Sequence, residues 1–378
     1  MELMLGSSNL KLDLVHSPAK FTTVIPLSNY SPATSHLLAD VSRFSLELGF
    51  NVVKIPRIYI KNTKFPKVWR EFHGLPKYIS AIKKSDILLI PYPALFTPVY
   101  PSTILSYHDL KNIHYILEKK RYIVFVFDLP IERERTKGRV GYSIDIEKKL
   151  FKDSSAILTF NPQMDKVLRE RYGLEDKVFV HFEILDYYTE FIPPEHKSLE
   201  YPRKAVLAGN LSKQYIGESL IKYLENYSRD DIVFTLIGRN QSWIKSLPPN
   251  IKYKGFINNR MKLHKEISKQ DFGIISYSSS LIPYLRFGST SKFSTYIASG
   301  IPVIVPVKAT YLTKIVKKYN VGVTYKNENG IEKTILRITS HKYLKLRKNV
   351  LELANKIREG YFFKRALLQA LESIDPKR

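Results

Sequence analysis

The residues from Ile274 to Val305, IISYSSSLIPYLRFGSTSKFSTYIASGIPVIV, carry the pattern from which the rest of the chain can be read. An apolar run passes into the polar Ser276 to Ser280, and a loop with Arg286 and Gly288 follows. At Ser289-Thr290-Ser291-Lys292, hydroxyl side chains precede a cation, which is the composition of a helix start. Phe293, Tyr296 and Ile297 give that helix an apolar face and Gly300 stops it. Ile301 to Val305 then reads as a short buried strand with Pro302 near its beginning. Strand, loop, helix, strand is the repeat of an α/β sheet. The free N–H groups, the hydroxyls and Lys292 at the helix start suit a phosphate. Helices often start this way as plain caps, and this stretch alone leaves both readings open.

The same repeat extends on either side. Upstream, Ala205 to Ala208 reads as a strand, and Gly209-Asn210-Leu211-Ser212-Lys213 as the turn into a helix over Gly217 to Tyr227. Ile232 to Ile237 is a strand ending in Gly238-Arg239, Ile251 to Phe256 is another, and Asn259 to Ser268 is helical. Downstream come a helix over Tyr311 to Tyr319, a strand over Val321 to Tyr325, and basic helices over Lys342 to Arg358 and Tyr361 to Ile374. Three loops, at 209–213, 238–239 and 288–292, each join a glycine to a cation, and such loops lie at the carboxyl ends of parallel strands. Singly they are weak signals; together they describe a diphosphate site.

A first half of the same style precedes this one. Strands are expected over Phe21 to Leu27, Asn51 to Ile55, Ser85 to Pro93, Tyr122 to Pro130, Ala156 to Phe160 and Val178 to Phe182. Helices are expected over Thr34 to Leu48, Ile144 to Phe151 and from Asn161-Pro162 to Tyr172. The loop with Ser28, Asn29 and Ser31 falls at a strand's carboxyl end, and no GxGxxG fingerprint accompanies it. Asp128 stands just past a buried strand, near Arg133 and Arg135; it is either a general base or a group that orients a hydroxyl, or else a carboxylate paired with those arginines or capping the next helix. Between Ile192 and Arg203 the segment IPPEHKSLEYPR breaks the pattern and reads as a linker. The expected organisation is two Rossmann-like domains facing each other across a cleft. One covers 1–195 and one covers 196–360, with 361–378 a final helix that could pack back toward the N-terminal domain.

Composition narrows the chemistry. Zero cysteines among 378 residues exclude disulfides, zinc-thiolate sites and cysteine nucleophiles, and nine scattered histidines form no HExxH pair. No apolar run spans a bilayer, and the first residues lack the basic and apolar regions of a secretory signal, so a cytoplasmic protein is expected. A net charge of +25 predicts an anionic partner without naming it. High aromatic content comes without RNP-like or zinc-finger spacing.

Four motifs resemble one family. AGNLSK (Ala208 to Lys213), IKYKGFI, DFGIISY and SKFSTYIASGIPVIV are similar to segments of the glucosyltransferase-3-like and β-1,6-galactofuranosyltransferase-like glycosyltransferases. FVFDLPIERER, LTFNPQMDKVLRERYGL and FEILDYY resemble the family's N-terminal half more loosely. The resemblance implies the GT-B fold and transfer of a hexose from a nucleotide-diphosphate sugar, usually UDP-linked, to a glycan, lipid-linked glycan or glycoprotein. By it, Asn210 and Lys213 line the nucleotide side, while Lys292, Ser294 and Tyr296 belong to the diphosphate element. Thr290-Ser291 stand where the family often has Pro-His, so any role of that histidine is missing here.

Glycosyl transfer needs the leaving diphosphate's charge stabilised by a metal or by fixed cations. No Asp-x-Asp motif occurs, and Asp145-Ile146-Glu147 is the nearest approach, in a helical pattern of the other half. Lys213, Arg239, Arg286 and Lys292, with Gly209, Gly238, Asn210, Ser291, Ser294 and Tyr296, form the expected donor site, with no metal or other cofactor. Asp128 is the candidate catalytic base, with His108-Asp109 an alternative. Arg133, Arg135, Lys137 and Arg139 form either a patch suited to peripheral contact at the inner membrane face or a plain solvated charge run. Two rival readings are a basic protein that binds nucleic acid and a catalytically silent transferase-like subunit. In the preferred reading nucleic acid is no partner.

Overall fold

A computed structural model describes residues 20–27, 32–56, 80, 83–93, 120–135, 144–195 and 197–374. The chain divides into two units, Met1–Glu183 with Gly360–Arg378, and Ile184–Glu359. Each is built on six parallel strands.

In the first unit the strands are β1 (Phe21–Leu27), β2 (Asn51–Pro56), β3 (Ile87–Tyr92), β4 (Arg121–Val126), β5 (Ala156–Thr159) and β6 (Val178–His181), in spatial order 2-1-3-4-5-6. β3 is buried along its whole length and β4 at all but its first residue, as parallel strands covered on both faces must be. Helix Pro32–Glu47 buries Leu37, Leu38, Val41 and Phe44. The last helix, Tyr361–Ile374, belongs to this unit. Its Phe363 ring lies 6.4 Å from Phe44 and 5.3 Å from Phe125, and its Lys364 Nζ lies 2.7 Å from Glu47 Oε2.

In the second unit the strands are β7 (Arg203–Ala208), β8 (Ile232–Ile237), β9 (Ile251–Tyr253), β10 (Phe272–Ile274), β11 (Val303–Pro306) and β12 (Gly322–Tyr325), in order 12-11-10-7-8-9. β9 stops at Tyr253, before the expected Phe256; past it the backbone turns left-handed at Gly255 (φ +73°), whose carbonyl still accepts from Gly238 N. Helix Gly330–Leu336 carries no sequence expectation; it is short, and Ile331 and Ile335 bury in the core of this unit.

The unit boundary falls at Glu183, ahead of the proline-rich segment. The Leu185 peptide is held on both sides, its N–H donating to Ser289 Oγ (3.0 Å) and its carbonyl accepting from Ser294 Oγ. Arg358 donates to Phe191 O (2.7 Å), and Arg347 to the carbonyls of Gly300 and Pro194. Residues 185–194 are thereby bonded into the second unit. Both chain crossings use left-handed backbone, at Glu183 (φ 56°) and Gly360 (φ 72°). A Cβ on Gly360 would meet the Phe44 ring at 2.4 Å. Gly360→Ala should therefore lower the stability of the first unit by about 2–3 kcal/mol, from overpacking added to backbone strain. Urea unfolding followed by circular dichroism checks this, and an unchanged midpoint contradicts it.

Candidate active site

The second unit gathers its chemistry where β7, β8 and β10 end. Gly209 follows β7 with φ +114°, and a Cβ there would meet Lys292 Cε at 3.0 Å. Gly238 follows β8, where a Cβ would strike Gly209 O at 2.2 Å. The two glycines let two strand ends and one lysine side chain share a space that larger residues would fill. Gly209 N donates to Ile237 O (2.8 Å), and Gly238 N to Gly255 O (3.0 Å).

Lys292 lies in the first turn of helix Ser291–Ala298, which contains no acidic residue there. Thr290 caps the helix, its hydroxyl accepting from Phe293 N at 3.4 Å. Lys292 is 8% exposed, and its Nζ has no hydrogen-bond partner among the described residues. Two aromatic rings face it instead, Tyr277 with its centroid 4.8 Å away and Tyr215 at 6.0 Å. Burial pulls its pKa down to about 8. A buried ammonium with no acceptor, at a helix start, is a place for an anion.

The other expected residues divide by partner. Asn210 Oδ1 accepts from Ser212 N (2.9 Å), which shapes the turn after Gly209. Lys213 is exposed, with Nζ 3.0 Å from Glu218 Oε1. Arg239 lies over the exposed Phe256 ring at 5.6 Å, and Arg286 over the Phe287 ring at 4.6 Å. Ser291 is partly exposed, and its carbonyl accepts from Thr295 Oγ1 (2.8 Å). Ser294 and Tyr296 point inward. Ser294 holds Leu185, while the Tyr296 hydroxyl accepts from Ala208 N (2.8 Å) and donates to Ile274 O (3.2 Å). Tyr296 ties the ends of β7 and β10 together, and its ring occupies the space beside Gly273, where a Cβ would meet it at 2.4 Å. These two side chains set the position of the helix that carries Lys292.

Sequence reasoning missed Tyr215, Tyr277 and Phe256. Tyr215 and Tyr277 are brought together by Ser278 N donating to Tyr215 O (2.8 Å), and by Gly217, whose missing Cβ admits the Ser278 backbone at 3.2 Å. Phe256 is 48% exposed just past β9. An isolated exposed aromatic is the one signal that could have found it.

In the first unit, Asp128 follows β4 and forms an ion pair with Arg133. Nearby, Glu132 pairs with Arg171. Glu147 is buried and accepts from the hydroxyls of Tyr92 and Tyr172, and burial raises its pKa. Among the described residues no group of three or more His, Asp or Glu side chains could hold a metal ion, and no helix is long and apolar enough to cross a membrane. Ser28, Asn29, Ser31, His108, Asp109, Lys137 and Arg139, with the side chains of Arg135 and Asp145, lie outside the described residues.

Residues 206–370 match the family described as glucosyltransferase 3-like, C-terminal domain. The chain is 22% identical over 307 residues to beta-1,6-galactofuranosyltransferase WbbI of Escherichia coli (strain K12), covering 79% of this chain and 83% of that one. It is 23% identical over 345 residues to Glucosyltransferase 3 of Streptococcus gordonii, covering 89% and 93%. Among solved structures it resembles an alpha-glucosyltransferase in complex with UDP and a 13-mer DNA containing a HMU base. That likeness has a TM-score of 0.62 at 12% identity, over 94% of this chain and 99% of that one. HepE of Anabaena in complex with UDP and glucose gives 0.58 at 10% identity, over 94% and 100%. The match over residues 206–370 makes the second unit similar to the glucosyltransferase 3-like C-terminal domain, and with two parallel six-stranded sheets the chain is a glycosyltransferase of the GT-B fold.

Proposed function

We propose that this glycosyltransferase moves a hexose from a UDP-linked sugar to a glycan, lipid-linked glycan or glycoprotein acceptor, without a bound metal. The observation that carries this reading is the buried Lys292 ammonium, which has no acceptor among the described residues. The bond between the sugar's anomeric carbon and the diphosphate breaks as the acceptor oxygen bonds to that carbon. Negative charge then grows on the departing diphosphate, and a fixed cation in a water-poor setting stabilises it more than a solvated one does. Lys292 is that cation, and the helix N–H groups beside it add to its effect. Gly209 and Gly238 leave the room a diphosphate needs, and the Phe256 ring with Arg239 offers a platform for the nucleobase.

Two named relatives transfer hexoses, and two similar folds were solved with UDP, which supports the donor class. Asp128 is proposed as the base that takes the acceptor's proton, which requires that Arg133 release it. A lipid-linked acceptor would bring the protein to an anionic bilayer surface, which a net charge of +25 favours.

Three outcomes test this. Calorimetric titration with UDP in chelator should give saturable binding that Lys292→Ala weakens by about 1.5–3 kcal/mol; equal affinity in the two proteins removes Lys292 from the site. The affinity should also depend on pH with a defined sign. The free ammonium titrates at about 8 and the anion favours its charged form. UDP binding should therefore fall by up to about tenfold per pH unit above 8, and Lys292→Ala should lose that slope. Asp128→Asn should lower turnover by about 100-fold or more with little change in UDP affinity, and an unchanged rate puts the base elsewhere.

A further inference from the structure

A second cationic site lies on the same unit, on the sheet face near the amino ends of its strands. Strand register puts Lys204 beside Val233 and Thr235 beside Lys252. Paired residues share a face, so these four side chains point the same way, and Lys254 follows two residues after Lys252. The opposite face carries Phe234, Leu236 and Ile251 into the core. The polar face is left as a groove of about 520 Å³, walled by the end of helix Arg260–Ser268 with Glu266, Lys269 and Gln270. That volume falls in the range of small-molecule sites.

The groove is built for charge. Four lysines line it against one carboxylate, Glu266, which Lys269 already engages. Lys204, Lys252 and Lys254 are exposed, and neither Lys252 nor Lys254 has an acidic partner among the described residues. The floor is polar too, since the buried Thr235 hydroxyl donates to Gln270 Oε1 at 3.2 Å. The positive field reaches beneath the rim. Burial pulls Lys197 down to about 8 against the pull of Asp271, and the Arg347 and Lys204 charges add to that lowering. No aromatic residue lines the groove, so ring stacking, on which single-stranded nucleic acid sites depend, has no platform here. Lys204 stands five positions before Gly209, about 16 Å along the extended chain at 3.3 Å per residue, so this is not the donor site.

We propose that this groove binds a ligand carrying two or more phosphate groups, separately from the nucleotide diphosphate. Lysines rimming a polar floor from three strands and one helix end can each meet a different phosphate oxygen. The ligand is either a free phosphorylated anion or the headgroup of an anionic lipid.

The test is titration of the whole protein, saturated with UDP, with inorganic pyrophosphate at near-physiological salt. Saturable binding is expected, weakened at least about tenfold in Lys252→Glu/Lys254→Glu. UDP affinity should stay unchanged, and the control Lys317→Glu/Lys318→Glu, which alters exposed lysines on another helix by the same charge, should bind pyrophosphate like the parent. Repeating the titration on Lys292→Ala keeps the result readable even if the donor reading fails. A parallel arm measures co-sedimentation with vesicles containing cardiolipin, an anionic lipid whose headgroup carries two phosphates. Loss of vesicle binding in the groove variant assigns a lipid headgroup, and vesicle binding that is absent or unaffected assigns a free anion. No saturable pyrophosphate binding, or equal loss in the groove variant and the control, overturns the proposal.

Discussion

A lysine ammonium held out of water, with no acceptor among the described residues, is the constraint on which this structure turns. Lowering the Lys292 pKa from 10.5 to about 8 costs the folded state about 3 kcal/mol at neutral pH. The sign follows from linkage: the unfolded chain binds the proton more tightly, so this cost disappears as pH rises from about 8 through 10.5. Nothing in the packing of an ordinary helix cap asks for that. The surrounding contacts instead maintain it. Tyr296 fixes the helix to the ends of β7 and β10, Ser289 and Ser294 grip the Leu185 peptide, and Gly209 lets the lysine stem cross the backbone. The Tyr277 ring face gives the ammonium weak compensation where a carboxylate would have neutralised it. Strain kept in place by so many partners marks a functional site more than a structural one.

The two units obey one rule and divide the chain unequally. Parallel strands need helical crossovers, so each sheet is covered on both faces and its loops at the carboxyl ends are free to carry chemistry. In the second unit those loops hold Gly209 and Gly238, with Lys292 in the helix turn beside them; in the first they hold Asp128, engaged by Arg133. The chain returns to its first unit only at Gly360, where a left-handed turn sets Phe363 against Phe44 and Phe125. The basic groove near the amino ends of β7 and β8 uses surface that the carboxyl-end chemistry leaves vacant.

Much of this was legible in the sequence, and the reasons are local. Buried parallel strands such as ILLIPY and RYIVFV announce themselves as unbroken apolar runs. Helix Ser291–Ala298 was marked by its hydroxyl cap, its spaced apolar residues and its terminal glycine. Lys292 stood out because it joins hydroxyls and free N–H groups at one helix start, a setting that suits phosphate. What stayed hidden depends on contacts distant in sequence. The inward aim of Ser294 and Tyr296 is fixed by Leu185, Ala208 and Ile274, tens of residues away. The pairing of Tyr215 with Tyr277, and the lysine groove across β7, β8 and β9, exist only once strand register is known. Asp128 shows the limit most clearly, since the sequence offered both a base and an arginine partner, and the fold joins it to Arg133.

The most direct test of the central claim is an NMR titration of the Lys292 side chain, following its Cε resonance against pH with and without UDP. A midpoint near 8 in the free protein that rises when UDP is present would match a buried ammonium awaiting an anion. An ordinary lysine midpoint near 10.4 that UDP leaves unmoved would contradict it.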